Sequence, residues 1–140
     1  MQNRSAYQKK KKAFSNSCRI YISQKSQLLE FEKKYPFLKV EPATEDSAIL
    51  HVGIFSNIDE AQKIVYAYKH VKESTEYVES VFNDIEKKCG YDAKTILWKL
   101  YVDGNTMEVV AREYGIGIRT LSVWKKEWME AEFGDGAVQL

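Results

Sequence analysis

Apolar residues recur at helical spacing along two stretches of the chain and alternate with polar ones along a third. From Ala61 the series Ala61, Ile64, Tyr68, Val71, Thr75, Val78, Phe82, Ile85 and Cys89 advances by alternating steps of three and four. That is a heptad seam over about four repeats, widened by Val65 and Val81. It predicts a long helix across residues 57–90, or a helical hairpin broken near Ser74-Thr75. Ser56 or Asn57 would cap it, Asp59 and Glu60 would complement its first turn, and Gly90 would close it. Such a seam suits either packing on the preceding module or a homodimer through residues 61–89.

The second helical stretch follows Gly90. Ile96, Leu97, Leu100 and Tyr101 predict a helix over 92–103, stopped by Asp103-Gly104. Thr106 can cap a second helix over 106–114 with apolar positions Val109, Val110, Ala111 and Tyr114, which Gly115 ends. Ile116 plugs the turn, and a third helix over 118–128 points Leu121 and Trp124 inward, with Trp128 capping the core's far end. A small residue at 111 lets two steeply crossing helices approach, and glycine at 115 accepts the positive φ of the turn. The pattern is a tri-helical helix-turn-helix domain over residues 91–133, with a tail at 134–140.

Alternation marks the region before the long helix. Cys18 to Ser23, CRIYIS, reads as a strand with Ile20 and Ile22 on one face and Tyr21 on the other. SQLLEFEKKY suits a helix that turns Leu28, Leu29 and Phe31 inward, PFLKVEP reads as extended, and Ala48 to Phe55 is the best strand candidate. Residues 18–56 therefore predict a small strand–helix–strand–strand module, and the fold class predicted for the chain is α+β, mainly α.

Charge adds to this. The net charge is only +1, yet residues 1–19 carry Arg4, Lys9 to Lys12 and Arg19 with no acid. Residues 1–17 are polar, basic and without period, which predicts a flexible tail whose lysines are solvated. Residues 92–126 are +2, a modest footprint for a DNA-binding domain, and Glu127, Glu130, Glu132 and Asp135 cluster after it. The 44% apolar and 13% aromatic content supports packed cores. No apolar run has the length of a membrane span or the form of a signal peptide, so the expected setting is cytoplasmic. Cys18 and Cys89 lack the spacing of a zinc site or redox pair.

The outer face of the third helix carries the candidate chemistry. Helical phase leaves Ile118, Arg119, Ser122, Val123 and Lys126 free to enter a major groove. Arg119 suits a bidentate contact to guanine, Ser122 can read either base type, and Ile118 or Val123 can pack on a thymine methyl. Thr120 and the backbone near Gly117 lie where a helix N-terminus meets phosphate, while Arg112, Lys125 and Lys126 are placed to neutralise it.

The run ILWKLYVDGNTMEVVAREYGIGIRTLSVWKKEW resembles region 4 of sigma factors. Within that group it looks most like the phage late-transcription regulators of the ArpU/RinA type. The likeness rests on Tyr101, Gly104, Thr106, Ala111, Gly115, Ile116, Arg119, Thr120 and Trp124-Lys125, about the last third of the chain. It departs from the pattern at Gly117, where a serine usually caps the recognition helix, and residues 18–55 match no element of the family. The resemblance implies a sequence-specific DNA-binding transcription regulator, phage- or mobile-element-encoded, with double-stranded DNA and RNA polymerase as partners. Two alternatives from other classes are a protein-interaction module without specific DNA readout and a phage DNA-packaging subunit.

An enzyme is not expected. The chain has no Gly-rich phosphate loop or metal-ligand cluster, and no cofactor or metal is called for. His51 and His70 lack a patterned carboxylate or nucleophile, and His51 lies inside a strand-like run without an orienting partner.

Overall fold

The computed structural model describes residues 4–40, 55 and 57–134. In chain order its helices are α1 (Arg4–Lys34), α2 (Phe37–Val40), α3 (Ile58–Cys89), α4 (Tyr91–Tyr101), α5 (Met107–Glu113) and α6 (Ile118–Phe133). Among the described residues there is no strand. The α+β class is therefore corrected to all-α. The candidate strand at 48–55, with His51, lies outside the described residues except for Phe55.

The largest correction falls on the N-terminus. Residues 4–17 belong to a helix of 31 residues rather than a loose tail, and CRIYIS lies in its middle. Nothing interrupts this helix before Pro36, because residues 1–35 contain neither proline nor glycine. Its buried apolar residues are Tyr7, Phe14, Cys18, Tyr21 and Leu28, joined by the polar Gln24, a period visible only over three heptads. In a six-residue window the same stripe imitates a strand, since Ile20 and Ile22 flank Tyr21 in either geometry. Here Tyr21 is buried and the two isoleucines are half-exposed. Leu29, expected inward, is 67% exposed. Within the PFLKVEP run, Phe37–Val40 form a single helical turn, α2, rather than an extended segment.

One unbroken helix of 32 residues, α3, carries the heptad seam. The Asn57 Oδ1 accepts the Glu60 N–H at 2.8 Å and caps it. Thr75 does not break the helix, because its buried hydroxyl donates to the Lys72 carbonyl at 2.9 Å. Ala61, Val65, Tyr68, Thr75, Val78, Val81, Phe82 and Ile85 are all buried within the single chain. The seam thus serves intramolecular packing.

The chain divides into two compact units, one of Met1–Ile20 with Tyr77–Leu140, the other of Tyr21–Glu76. In the second unit Leu28, Tyr35, Leu38, Phe55, Ala61, Val65 and Tyr68 form the core. The Tyr68 hydroxyl donates to Glu32 Oε2 at 2.7 Å; burial, that bond and the nearby carboxylates of Glu32 and Glu76 push its pKa far up. In the first unit Phe14 stands 5.3 Å from Phe82, 5.5 Å from Tyr101 and 5.3 Å from Phe133. Beside it Cys18 is fully buried, and that burial holds its thiol protonated with a pKa of about 12, so it behaves as a small apolar side chain.

Replacing Phe14 by alanine should destabilise the first unit by about 3–5 kcal/mol. Chemical denaturation checks this, and an unchanged midpoint would restore the flexible-tail reading. A pH effect follows from Glu132, whose Oε1 lies 3.2 Å from Lys88 Nζ. Burial raises its carboxyl above the ordinary 4.5, outweighing the pull of Lys88 in the other direction. A raised folded-state pKa gives a contribution present below the unfolded value and lost as pH rises through the folded one. Glu132→Gln should therefore gain on the wild type as pH rises through the carboxylate range, read as the difference in urea midpoint. A constant difference would contradict the burial of this carboxylate.

Candidate nucleic-acid interface

The site is built from α4, α5 and α6, whose shared core is Ile96, Val110, Ala111 and Leu121. Leu100, Met107, Tyr114, Ile116, Trp124 and Trp128 close its edges. Gly90, at φ 101°, lets the chain leave α3 and begin α4 after a single residue. Two ion pairs tie α4 into place: Lys94 to Glu86 of α3, and Lys99 to Glu113 of α5, each at 3.0 Å.

Local chemistry sets each end of α5. The Val109 N–H donates to Thr106 Oγ1 at 3.2 Å, so Thr106 is its N-cap. At the other end Gly115 adopts φ 66°, the left-handed conformation that a side chain disfavours. That turn brings the Ile116 N–H to 2.9 Å from the Ala111 carbonyl and directs the chain into α6. Ala111 is 2% exposed, which leaves no room for a larger side chain between the helices. Val109, expected among the apolar inward positions, is half-exposed.

Gly117 occupies the N-cap of α6 in an extended conformation and makes no side-chain cap bond. Leu121 faces the core, and Trp124 packs on Trp128 with ring centroids 5.8 Å apart. Opposite them Ile118, Arg119, Ser122, Val123 and Lys126 are exposed, at positions i, i+1, i+4, i+5 and i+8 of one helical face. Ile118 and Val123 keep 51% and 49% of their surface in contact with solvent. The structure thus brings five of the expected residues onto one surface.

The other three lie at its border or off it. Thr120 is exposed in the first turn, about 60° from Val123 and about 160° from Ile118 and Ser122 in helical phase, so it borders this face. Arg112 belongs to α5 and pairs with Glu108 at 3.0 Å, both side chains largely in solvent. Lys125 is half-buried, its ammonium 5.3 Å above the Tyr101 ring.

The spacing stopped the third helix of this unit five residues short, since α6 runs to Phe133. The missing turn carries Met129 and Phe133, both buried, at i+8 and i+12 from Leu121. Following that period past Trp128 would have found them. Among the described residues no three His, Cys, Asp or Glu side chains are grouped to hold a metal ion, and no helix is long and apolar enough to cross a membrane.

The chain matches no family model, no curated protein and no solved structure.

The tightness at Ala111 can be tested directly. Ala111→Leu should destabilise the helix-turn-helix by roughly 1–3 kcal/mol through overpacking. Thermal melting followed by tryptophan fluorescence reads this, and an unshifted transition would contradict the close crossing of α5 and α6.

Proposed function

We propose that this protein is a sequence-specific DNA-binding transcription regulator, phage- or mobile-element-encoded, that reads promoter DNA with a sigma region 4-like helix-turn-helix. The observation that carries the reading is the outward face of α6. Arg119, Ser122 and Lys126 stand beside Ile118 and Val123, while Leu121 and Trp124 anchor the opposite side. A helix with these residues exposed has a bidentate donor for guanine, a hydroxyl for either base type, apolar contacts for thymine methyls and a cation for phosphate. The turn at Gly115 and the close approach at Ala111 have the local chemistry of a helix-turn-helix. In this reading the regulator works in the cytoplasm, contacts RNA polymerase at the promoter, and needs no catalytic group or cofactor.

A second reading is favoured by Ile118 and Val123 themselves. Two half-exposed β-branched residues on a helix face also suit a protein-interaction module that docks on polymerase or another protein without specific DNA readout.

Selection of bound duplexes from a random pool, followed by a salt titration of the enriched sequence, separates the two. A DNA reader gives an enriched motif whose affinity falls steeply with salt, and the symmetry of the motif reports one bound copy or two. No enrichment beyond weak salt-sensitive binding moves the assignment to the protein-interaction module. In the first case Arg119→Ala should relax the preference at one base position by about 1–3 kcal/mol with the fold intact. Unchanged specificity would remove Arg119 from the readout.

A further inference from the structure

We propose that the basic N-terminal half of α1 is a second DNA-contacting surface, holding the phosphodiester backbone beside the helix-turn-helix. The inference rests on the DNA-binding reading above and adds to it. Residues 77–140, which contain the helix-turn-helix, carry eight Lys and Arg against eleven Asp and Glu. That segment is acidic by itself. Residues 1–20 belong to the same compact unit and carry six Lys and Arg with no acid, which makes the unit basic as a whole. The attraction of this unit for a polyanion therefore depends on α1.

These cations are mounted on ordered backbone. Tyr7, Phe14 and Cys18 fix α1 in the core of the unit, so the lysines occupy defined positions around its axis. Lys9, Lys10 and Lys12 are exposed, as is Arg19, which lies two turns beyond Lys12 on the same face. The Arg19 guanidinium donates to Asn16 Oδ1 at 2.6 Å, a neutral partner that leaves its charge uncompensated there. Lys11 turns back toward the buried stripe, and its ammonium stands 4.4 Å above the Tyr7 ring.

Aromatic contacts join the buried side of α1 to α6. Lys125 stands above Tyr101, Tyr101 packs on Phe14, and Phe14 follows Tyr7 by two turns along the buried stripe of α1. Tyr7 also lies near enough to Tyr101 to add to the rise in its pKa, behind the larger effects of burial and Cys18. Lys11 and Lys125 each rest on a tyrosine ring, Tyr7 of α1 and Tyr101 of α4. A lysine resting on a ring gives up rotamer freedom before a phosphate arrives, which lowers the entropic cost of the contact. A run of cations without interspersed acids fits the regular monoanions of a duplex backbone, which carries no sequence information.

The test uses the full chain on the selected duplex and on a scrambled one, over a salt series. Lys9→Gln, Lys10→Gln and Lys12→Gln are combined in one variant. Its control combines Lys33→Gln, Lys63→Gln and Lys69→Gln, which removes the same charge from exposed positions of the other unit. The α1 variant should lower the slope of log affinity against log salt by up to about 2.7, at ~0.9 per phosphate contact. It should weaken both duplexes alike and keep the sequence preference, while the control keeps the wild-type slope; matching melting curves establish that both variants are folded. Equal losses in the two variants would reduce the effect to net charge and overturn the proposal. An unchanged slope with preference intact would overturn it too and leave the DNA-binding reading standing. If the wild type binds neither duplex, that reading fails and this one with it.

Discussion

Three rings close on Phe14: Phe82 of α3, Tyr101 at the end of α4 and Phe133 at the end of α6. The rest of the first unit depends on this contact, because the tri-helical core alone is small. Its buried members are Ile96, Val110, Ala111 and Leu121, and two of the four have short side chains. A domain of that size buries too little apolar surface to be secure without help. Phe14 enlarges the core by drawing together a helix from each end of the sequence, and aromatic pairs at these spacings contribute about 0.5–1.5 kcal/mol beyond simple burial. The position of α6 is thereby fixed at its far end as well as at its turn.

How much of this was legible in the sequence depended on window length. The helix-turn-helix could be read because its constraints are local: a cap at Thr106, a small residue at 111 and a glycine at 115 act within ten residues. The long helix α3 could be read because its seam repeats over about four heptads. The helix α1 was missed because its buried residues are sparse and its lysines dominate any short window. Tyr7, Phe14, Tyr21 and Leu28 recur every seven residues, but CRIYIS taken alone satisfies a strand as well as a helix. The partners of the stripe lie far off in sequence, Phe82 sixty-eight residues beyond Phe14 and Tyr68 forty beyond Leu28, so nothing local signals them.

The candidate site divides in the same way. Helical phase, set by Leu121 and Trp124, was enough to place Ile118, Arg119, Ser122, Val123 and Lys126 on the outside. It was not enough for Lys125, whose place above Tyr101 is a tertiary contact between α6 and the end of α4. Nor did it reveal that the acids following the third helix are partly structural. Glu132 is drawn into an ion pair with Lys88, and burial raises its carboxyl pKa. The acidic cluster after the reader therefore includes a group that pairs α6 with α3.

The charges of α6 run against the preference of an isolated helix. Peptide dipoles favour acids in the first turn and bases in the last, as α3 shows with Asp59 and Glu60 at its start and Lys87 and Lys88 at its end. In α6 the first turn has no acid and the last turn no base. Arg119 lies in the first turn, Lys125 and Lys126 at the middle, and Glu127, Glu130 and Glu132 in the second half. Each misplaced charge near a helix end costs about 0.3–1 kcal/mol, and Gly117 supplies no side chain to offset it. At the acidic end Lys88 offsets part of the cost for Glu132, and the burial of Phe133 holds the last turn in place. At the other end Arg119 stands in a first turn whose N–H groups have no side-chain cap, an arrangement that disfavours the isolated helix and leaves its stability to the burial of Leu121.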